Sequence, residues 1–131
     1  MKIKTSELTG DALDWAVALI EYPEWKEQGY LEVFPYDLHF DDGEVYSPST
    51  DWAQGGPIIE REGIDLHRVT SSLWSASWWA NNSGMANNPA QRFKHNVRTD
   101  GPTPLIAAMR CYVASKLGEE VEIPDELLEF A

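Results

Sequence analysis

The sequence predicts an α+β fold, in which helices pack with a small antiparallel sheet. Two observations lead to this class. Helix-start and helix-stop residues stand near both ends of the chain, and between them short alternating segments separated by turn residues are typical of an antiparallel meander. The length of 131 residues and the hydrophobic content of 43% fit one globular domain with one core. We therefore expect a single domain over residues 1–131.

The first helix is defined by residues at its two ends and by its apolar period. Thr9 is the expected N-cap, and Asp11 in the first turn faces the positive end of the helix dipole. Apolar residues at the i, i+3, i+4, i+7 spacing of one buried face are Leu13, Ala16, Val17 and Ile20. Pro23 ends the pattern, so the helix is expected from about Gly10 to Glu21.

Residues 22–48 combine aromatic residues, prolines and acids without a sustained period. Two short strands, Leu31–Phe34 and Asp37–Phe40, are expected on either side of Pro35, where they would form an edge hairpin. The sequence Asp-Asp-Gly at positions 41–43 marks a turn directly after the second of them.

The segment around the glycine pair at positions 55 and 56 departs from ordinary helix chemistry. Because each glycine costs about 1 kcal/mol and an internal proline about 3 kcal/mol in a helix, a continuous helix is not expected here. A short helix from Pro57 to Glu62 is expected instead. Two interpretations of the pair stay open. Gly55 and Gly56 bring backbone N–H groups close to a ligand, beside Asp51 and Trp52, or they allow close helix-on-sheet packing, which we favour.

The middle of the chain contains the strands and most of the clustered tryptophans. Strands are expected at Ile64–Val69, from Leu73 to Trp79, and at Gln91–Val97. On a strand, Trp74 and Trp78 share one face and Trp79 takes the other. The favoured interpretation places the first two in the core. The alternative is an aromatic platform that stacks on a ligand.

The last helix has the clearest boundaries. Thr103 is the expected N-cap, Pro104 occupies the first helical position, and Gly118 follows the end. The residues between them are apolar on nearly all sides, which predicts the most buried helix of the fold. A further strand is expected at Val121–Pro124, and Asp125 is expected to cap a final turn.

Arg110 is the one strongly charged residue within the apolar body of this helix. A buried arginine needs a carboxylate or an anionic ligand. An internal ion pair with Asp14 or Asp51 is favoured. The alternative is a phosphate clamp that Arg110 shares with Arg92 or Arg98.

Charge and composition exclude several classes of function. Ten basic and 22 acidic residues give a net charge of −12, which disfavours generic nucleic-acid binding. No apolar run approaches the roughly 18 residues that a membrane span needs, and no export signal is expected, so a cytoplasmic location is expected. The single cysteine, Cys111, excludes an internal disulfide, and the scattered histidines predict no metal site and no cofactor.

Three segments resemble the NinX-like proteins encoded in the nin region of lambdoid phages and prophages. They are Lys4–Gly10 with Leu13–Ala18, Tyr46–Glu62, and Gly101–Gly118. The last two and the tryptophan strand also resemble phage "ABA sandwich" domains. This likeness implies helices on both faces of the sheet, an α/β/α arrangement, in a phage accessory protein of the bacterial cytoplasm. The resemblance implies no catalytic residue in this sequence.

Two functions are consistent with these residues and with the resemblance. The first is a non-enzymatic phage protein that binds a small anionic, nucleotide-type host signal and so acts as a counter-defence sponge. The second is an acidic module that binds and modulates a host protein. A small hydrolase or transferase is a weaker third. A homo-oligomer would suit exposed tryptophans. The candidate ligand-binding residues are Asp51, Trp52, Gly55, Gly56, Trp78, Trp79, Arg92 and Arg110.

Overall fold

A computed structural model describes residues 1–35, 37–78 and 97–128 of the chain. After one short strand, four helices precede three consecutive strands along these ranges, and a long helix and a short strand follow. In chain order they are β1 (Lys2–Lys4), α1 (Gly10–Glu21), α2 (Pro23–Glu27), α3 (Tyr30–Val33), α4 (Trp52–Glu62), β2 (Asp65–Thr70), β3 (Leu73–Trp78), β4 (Val97–Gly101), α5 (Pro104–Leu117) and β5 (Glu120–Glu122). Short 3-10 helices cover Thr5–Glu7 and Asp125–Leu127. The predicted α+β class is confirmed.

The larger sheet is an antiparallel meander in the order β2-β3-β4. Its register places Ala76 opposite Leu66 on one side and Thr99 on the other, so these three residues share a face. Ala76 is fully buried on that face. The meander predicted for the middle of the chain is therefore confirmed between β2 and β3. The third strand begins at Val97, where the predicted one ends, and the rest of the predicted strand lies outside the described residues.

Helix α5 covers this face of the sheet and forms the centre of the core. Ala107, Ala108 and Met109 have no exposed surface. The approach to β4 is close, because a Cβ atom on Gly101 would lie 2.7 Å from the backbone nitrogen of Ala107. The hydroxyl of Thr99 donates to the Ala107 carbonyl at 2.8 Å. Helices α1 and α4 pack against α5 in turn. A helical layer on the opposite face of the sheet stays a prediction.

A second, two-stranded sheet joins the two terminal regions of the chain. Strands β1 and β5 are antiparallel, with Ile3 opposite Val121. The adjoining Thr5 is buried and bonds twice to the residues after α5. Its backbone N–H donates to the Glu119 carbonyl at 2.8 Å and its hydroxyl to the Gly118 carbonyl at 2.7 Å. The predicted strand near Val121 is thus confirmed.

Residues 22–46 form two short helices and an aromatic cluster, and the predicted strand at Leu31–Phe34 is wrong. Gly29 adopts a φ of 78° and starts α3. Leu31 is fully buried, and its carbonyl accepts a 2.9 Å hydrogen bond from the indole of Trp15. The rings that contact one another are those of Tyr22, Trp25, Tyr30, Phe34, Phe40 and Tyr46. The hairpin predicted about Pro35 is therefore wrong, and His39 instead forms an isolated bridge with Val45 across the turn at positions 41–43.

Helix α4 runs continuously through the glycine pair and Pro57, in contrast to the interrupted helix that was predicted. A proline at position 57 removes the hydrogen bond that would otherwise reach the carbonyl of Ala53. Both residues lie on the exposed side of the helix, where water can satisfy that carbonyl. Gly63 ends the helix with a φ of 67°, as predicted.

Candidate functional site

A cleft of about 510 Å³ opens between β4, the turn that precedes β3 and the 3-10 helix Thr5–Glu7. Two arginines line it, Arg98 from β4 and Arg110 from α5. We call it the Arg98–Arg110 cleft. The polar residues around the two arginines are Ser6, Ser72, Thr99 and Asp100. Leu73, Gly101 and Pro102 complete the walls.

Arg110 is fixed by backbone carbonyl groups. Its Nε donates to the Leu8 carbonyl at 2.7 Å and its Nη1 to the Asp100 carbonyl at 2.8 Å. Partial burial lowers the pKa of the guanidinium, which stays charged at neutral pH. The predicted ion pair with Asp14 or Asp51 is wrong, since within the described ranges no carboxylate lies within 4.0 Å of Arg110. The positive charge thus lacks a counter-ion among the described side chains.

Arg98 reaches the same cleft from the sheet. Its Nε donates to the hydroxyl of Ser75 at 2.8 Å, and it lies 3.8 Å from the Asp100 carboxylate. The side chain of Arg98 is 62% exposed, so that ion pair is weak and screened by solvent. Neither Nη group of Arg98 bonds to another residue in the described parts of the chain. Both arginines therefore present free N–H donors to the cleft.

A second opening of about 500 Å³ adjoins the first and shares Ser6, Arg98 and Thr99 with it. Lys4 adds a third basic side chain, and Glu119 and Glu120 add two carboxylates. Arg98 stands where the two openings meet, and the acids of the second opening favour an anion on the Arg110 side.

The residues predicted around the glycine pair have packing and capping contacts. Asp51 caps α4 by accepting the Ala53 N–H at 2.9 Å. A Cβ atom on Gly55 would lie 2.5 Å from the Pro48 carbonyl oxygen and 2.6 Å from Cδ2 of Leu105. The absence of a side chain at Gly55 thus allows α4 to pack closely against α5. The interpretation favoured from the sequence expected this close packing against the sheet instead. Gly56 has no such neighbour, and Trp52 is 53% exposed.

The tryptophans of β3 face the core side of the sheet, as predicted. Trp74 and Trp78 pack against the hydrophobic core. The ammonium group of Lys116 lies 5.3 Å from the ring centroid of Trp78. Leu105 and Lys116 stand eleven positions apart on α5, a rise of about 16 Å. Gly55 and Trp78 therefore meet opposite ends of the helix and do not share one site. Trp79 and Arg92 lie outside the described residues.

A network of charged side chains that the sequence did not reveal joins α1, α4 and α5. Arg61 forms a bidentate salt bridge with Glu21, with N–O distances of 3.1 and 2.8 Å. The hydroxyl of Tyr112 donates a hydrogen bond to the same carboxylate. Lys116 pairs with Glu62 at 2.8 Å. The hydrogen bond to Glu21 raises the pKa of Arg61. Since these groups satisfy one another, the network stabilises helix packing and offers no open chemistry.

Cys111 has the properties of a packing residue. It is fully buried, and burial raises the pKa of its thiol to about 12, so the nucleophilic thiolate is not formed at neutral pH. In the parts of the chain that the structure describes, no group of three or more His, Cys, Asp or Glu side chains comes together as a metal site requires. No helix in the described ranges is long and apolar enough to cross a membrane.

The fold and the cleft define an α+β protein with two arginines at the edge of a small antiparallel sheet. The sequence profile of the family described as "Bacteriophage P22, NinX" matches residues 4–116, from β1 nearly to the end of α5. The chain belongs to this NinX family of bacteriophage proteins, which confirms the resemblance to NinX and makes it a phage accessory protein. Comparison with curated proteins gives no match.

Proposed function

We propose that this phage protein binds a small phosphate-bearing molecule of the nucleotide class in the Arg98–Arg110 cleft, without chemical turnover. Holding the ligand would withdraw a host signal, which is the counter-defence role considered from the sequence. The observation that carries the proposal is the pair of guanidinium groups with unused donors in one cleft, one of them without a counter-ion in the described structure.

Phosphate is the ligand group that suits these donors. Guanidinium groups match the geometry of phosphate oxygens, and charge-assisted hydrogen bonds are about twice as strong as neutral ones. Arg110 is held by Leu8 and Asp100, so little side-chain entropy is lost when an anion binds. The volume of about 510 Å³ lies within the range of small-molecule sites, about 300–1,000 Å³.

Binding without turnover is favoured by the chemistry of the cleft. The two guanidinium groups of the cleft remain protonated at neutral pH, so they cannot act as general bases. The carboxylate among the described residues of the cleft, Asp100, is about half exposed, whereas general acid–base pairs need one group in a desolvating environment.

Calorimetric titration tests the proposal. The panel contains inorganic phosphate, adenosine monophosphate, cyclic adenosine monophosphate and a cyclic dinucleotide, with uncharged adenosine as the control. We expect at least one phosphate compound to bind and adenosine to fail. Arg98→Gln should weaken that binding about tenfold, because a hydrogen bond to a charged group contributes about 1.5–3 kcal/mol.

A matched variant separates the cleft from general charge. Arg68→Gln removes an exposed arginine from β2 of the same sheet, outside the cleft. It should leave the affinity within about twofold of the wild type, since distant surface charges are screened. A folded protein that binds none of the phosphate compounds contradicts the proposal, and so does equal weakening by Arg68→Gln and Arg98→Gln.

A further inference from the structure

Another concave surface lies between α1, α3 and β5 and encloses about 600 Å³. We call it the α1–β5 groove. Its floor is apolar and well packed, formed by Trp15, Leu31, Val121 and Ile123, each no more than 7% exposed. Leu117, at the end of α5, is 38% exposed and forms part of the wall.

The rim of the groove is acidic. Carboxylates stand on both of its sides, Glu32 on α3 and, after α5, Glu120, Glu122 and Asp125. The cations at the rim are Lys26 and the Met1 ammonium group, and that ammonium is already paired with Glu122 at 2.8 Å and Asp125 at 3.4 Å. The rim therefore has a net negative charge, and Glu32 and Glu120 form no ion pair with a cation among the described residues.

We propose that the α1–β5 groove docks an amphipathic helical segment of a partner protein, with apolar side chains on the groove floor and lysine or arginine side chains at the rim. An apolar centre inside a polar rim is the usual anatomy of a protein–protein interface. An amphipathic helix laid in an apolar groove is a common recognition mode. The acidic rim selects a basic segment over an acidic one.

Charge also decides between this occupant and its competitors. A second copy of the chain carries the same net charge of −12, which opposes self-association at this acidic rim. An anionic lipid surface or a nucleic acid is repelled for the same reason. A basic amphipathic segment satisfies both the apolar floor and the carboxylates. Val33 and Phe34, which follow Glu32 and are 65% and 48% exposed, offer further apolar surface beside the groove.

Fluorescence anisotropy with a synthetic peptide tests the docking. The probe is a labelled helical peptide with leucine at the i, i+3, i+4 and i+7 positions and lysine elsewhere. A scrambled peptide of the same composition keeps the charge but loses the apolar face. We expect the amphipathic peptide to bind saturably and the scrambled peptide to bind at least about tenfold more weakly, because it cannot bury its leucines together.

Two variants locate the binding in the groove. The double variant Glu32→Gln/Asp125→Asn removes rim charge, and Leu117→Gln removes exposed apolar wall. Each should weaken peptide binding by about fivefold or more. The matched control, Glu60→Gln/Asp42→Asn, removes the same charge from exposed sites outside the groove. It should change the affinity by less than about twofold. Circular dichroism confirms that each variant is folded.

Three results overturn the docking proposal. One is absence of peptide binding to the folded protein. Another is equal affinity for the amphipathic and scrambled peptides, or equal weakening by the rim and control variants, which would indicate charge attraction alone. The third is self-association, measured by light scattering, that Leu117→Gln abolishes, because a second copy would then occupy the groove.

Discussion

Oδ1 of Asp14 accepts a hydrogen bond of 2.9 Å from the backbone N–H of Ser49, and this bond ties α1 to the loop before α4. Both residues are buried, at 7% and 1% exposure. Burial raises the pKa of the Asp14 carboxyl to about 6, although the bonds from Ser49 act in the opposite direction. The carboxylate form is therefore held in the core at neutral pH at a cost in stability.

Asp14→Asn should stabilise the protein at pH 8 and have little effect at pH 4. Because the folded-state pKa lies above that of the unfolded chain, the stability from this group is present in acid and is lost as pH rises through about 6. The shift corresponds to about 3 kcal/mol at pH 8. Urea denaturation at the two pH values measures it.

Asp42 provides the control for this change. Its Oδ1 also accepts a backbone N–H at 2.9 Å, from Glu44, but it is exposed. Asp42→Asn should alter stability by less than about 0.5 kcal/mol at either pH. If Asp14→Asn destabilises at pH 8, the raised pKa is contradicted.

Gly55→Ala should destabilise the protein, whereas Gly56→Ala should not. The added methyl at position 55 meets the Pro48 carbonyl and Leu105, and overpacking of this kind costs about 1–3 kcal/mol. At position 56 the nearest atom is a ring carbon of Trp52 at 3.9 Å. There the gain in helix propensity, about 0.5–1 kcal/mol, remains. Chemical denaturation of the two variants should give effects of opposite sign.

The two helix caps should differ in their contribution to stability. Thr103 accepts the Ile106 N–H at 3.1 Å, whereas Thr9, at the same position of α1, makes no side-chain cap bond. Thr103→Ala should cost about 1 kcal/mol in the free energy of unfolding. Thr9→Ala should cost less than half of that. Equal losses for both would contradict the assigned capping.

Cys111 should react with a disulfide reagent only when the protein unfolds. Its thiol is buried and its raised pKa, about 12, leaves almost no thiolate at pH 8. Because it is the only cysteine in the sequence, absorbance reports this site alone. The labelling rate should rise steeply with urea, in proportion to the fraction of unfolded protein. Rapid labelling of the native protein would contradict the described packing.

Capping residues and apolar spacing in the sequence correctly predict the bounds of the first and last helices. α1 has the bounds that its apolar spacing and Pro23 predict, and α5 begins and ends as Thr103, Pro104 and Gly118 indicate. In both helices, propensity, capping and burial favour the same structure. The sequence therefore predicts a helix correctly where these effects agree.

Tertiary contacts decided the segments that the sequence misassigned. Leu31 lies in a helix, and its carbonyl accepts a hydrogen bond from the indole of Trp15, which is sixteen residues earlier in the chain. Pro57 is tolerated inside α4 because the bond that it removes faces water. Such effects depend on which side of an element meets solvent, and propensities do not contain that information.

The candidate cleft was predicted only in part. Arg110 stood out because a charge inside an apolar helix needs a partner, and Arg98 was one of two arginines named beside it. Their meeting depends on the register of β4 and on its approach to α5 at Gly101, which are properties of the assembled sheet. Arg92, the other named partner, lies outside the described residues.

The pairing of β1 with β5 has a consequence for the synthesis of the protein on the ribosome. Ile3 and its partner Val121 are more than a hundred positions apart, so the first strand has no partner until nearly the whole described chain has been made. Helix α5, the centre of the core, is also translated late. The contacts of α5 and the β1–β5 pair can therefore form only after most of the chain has been synthesised.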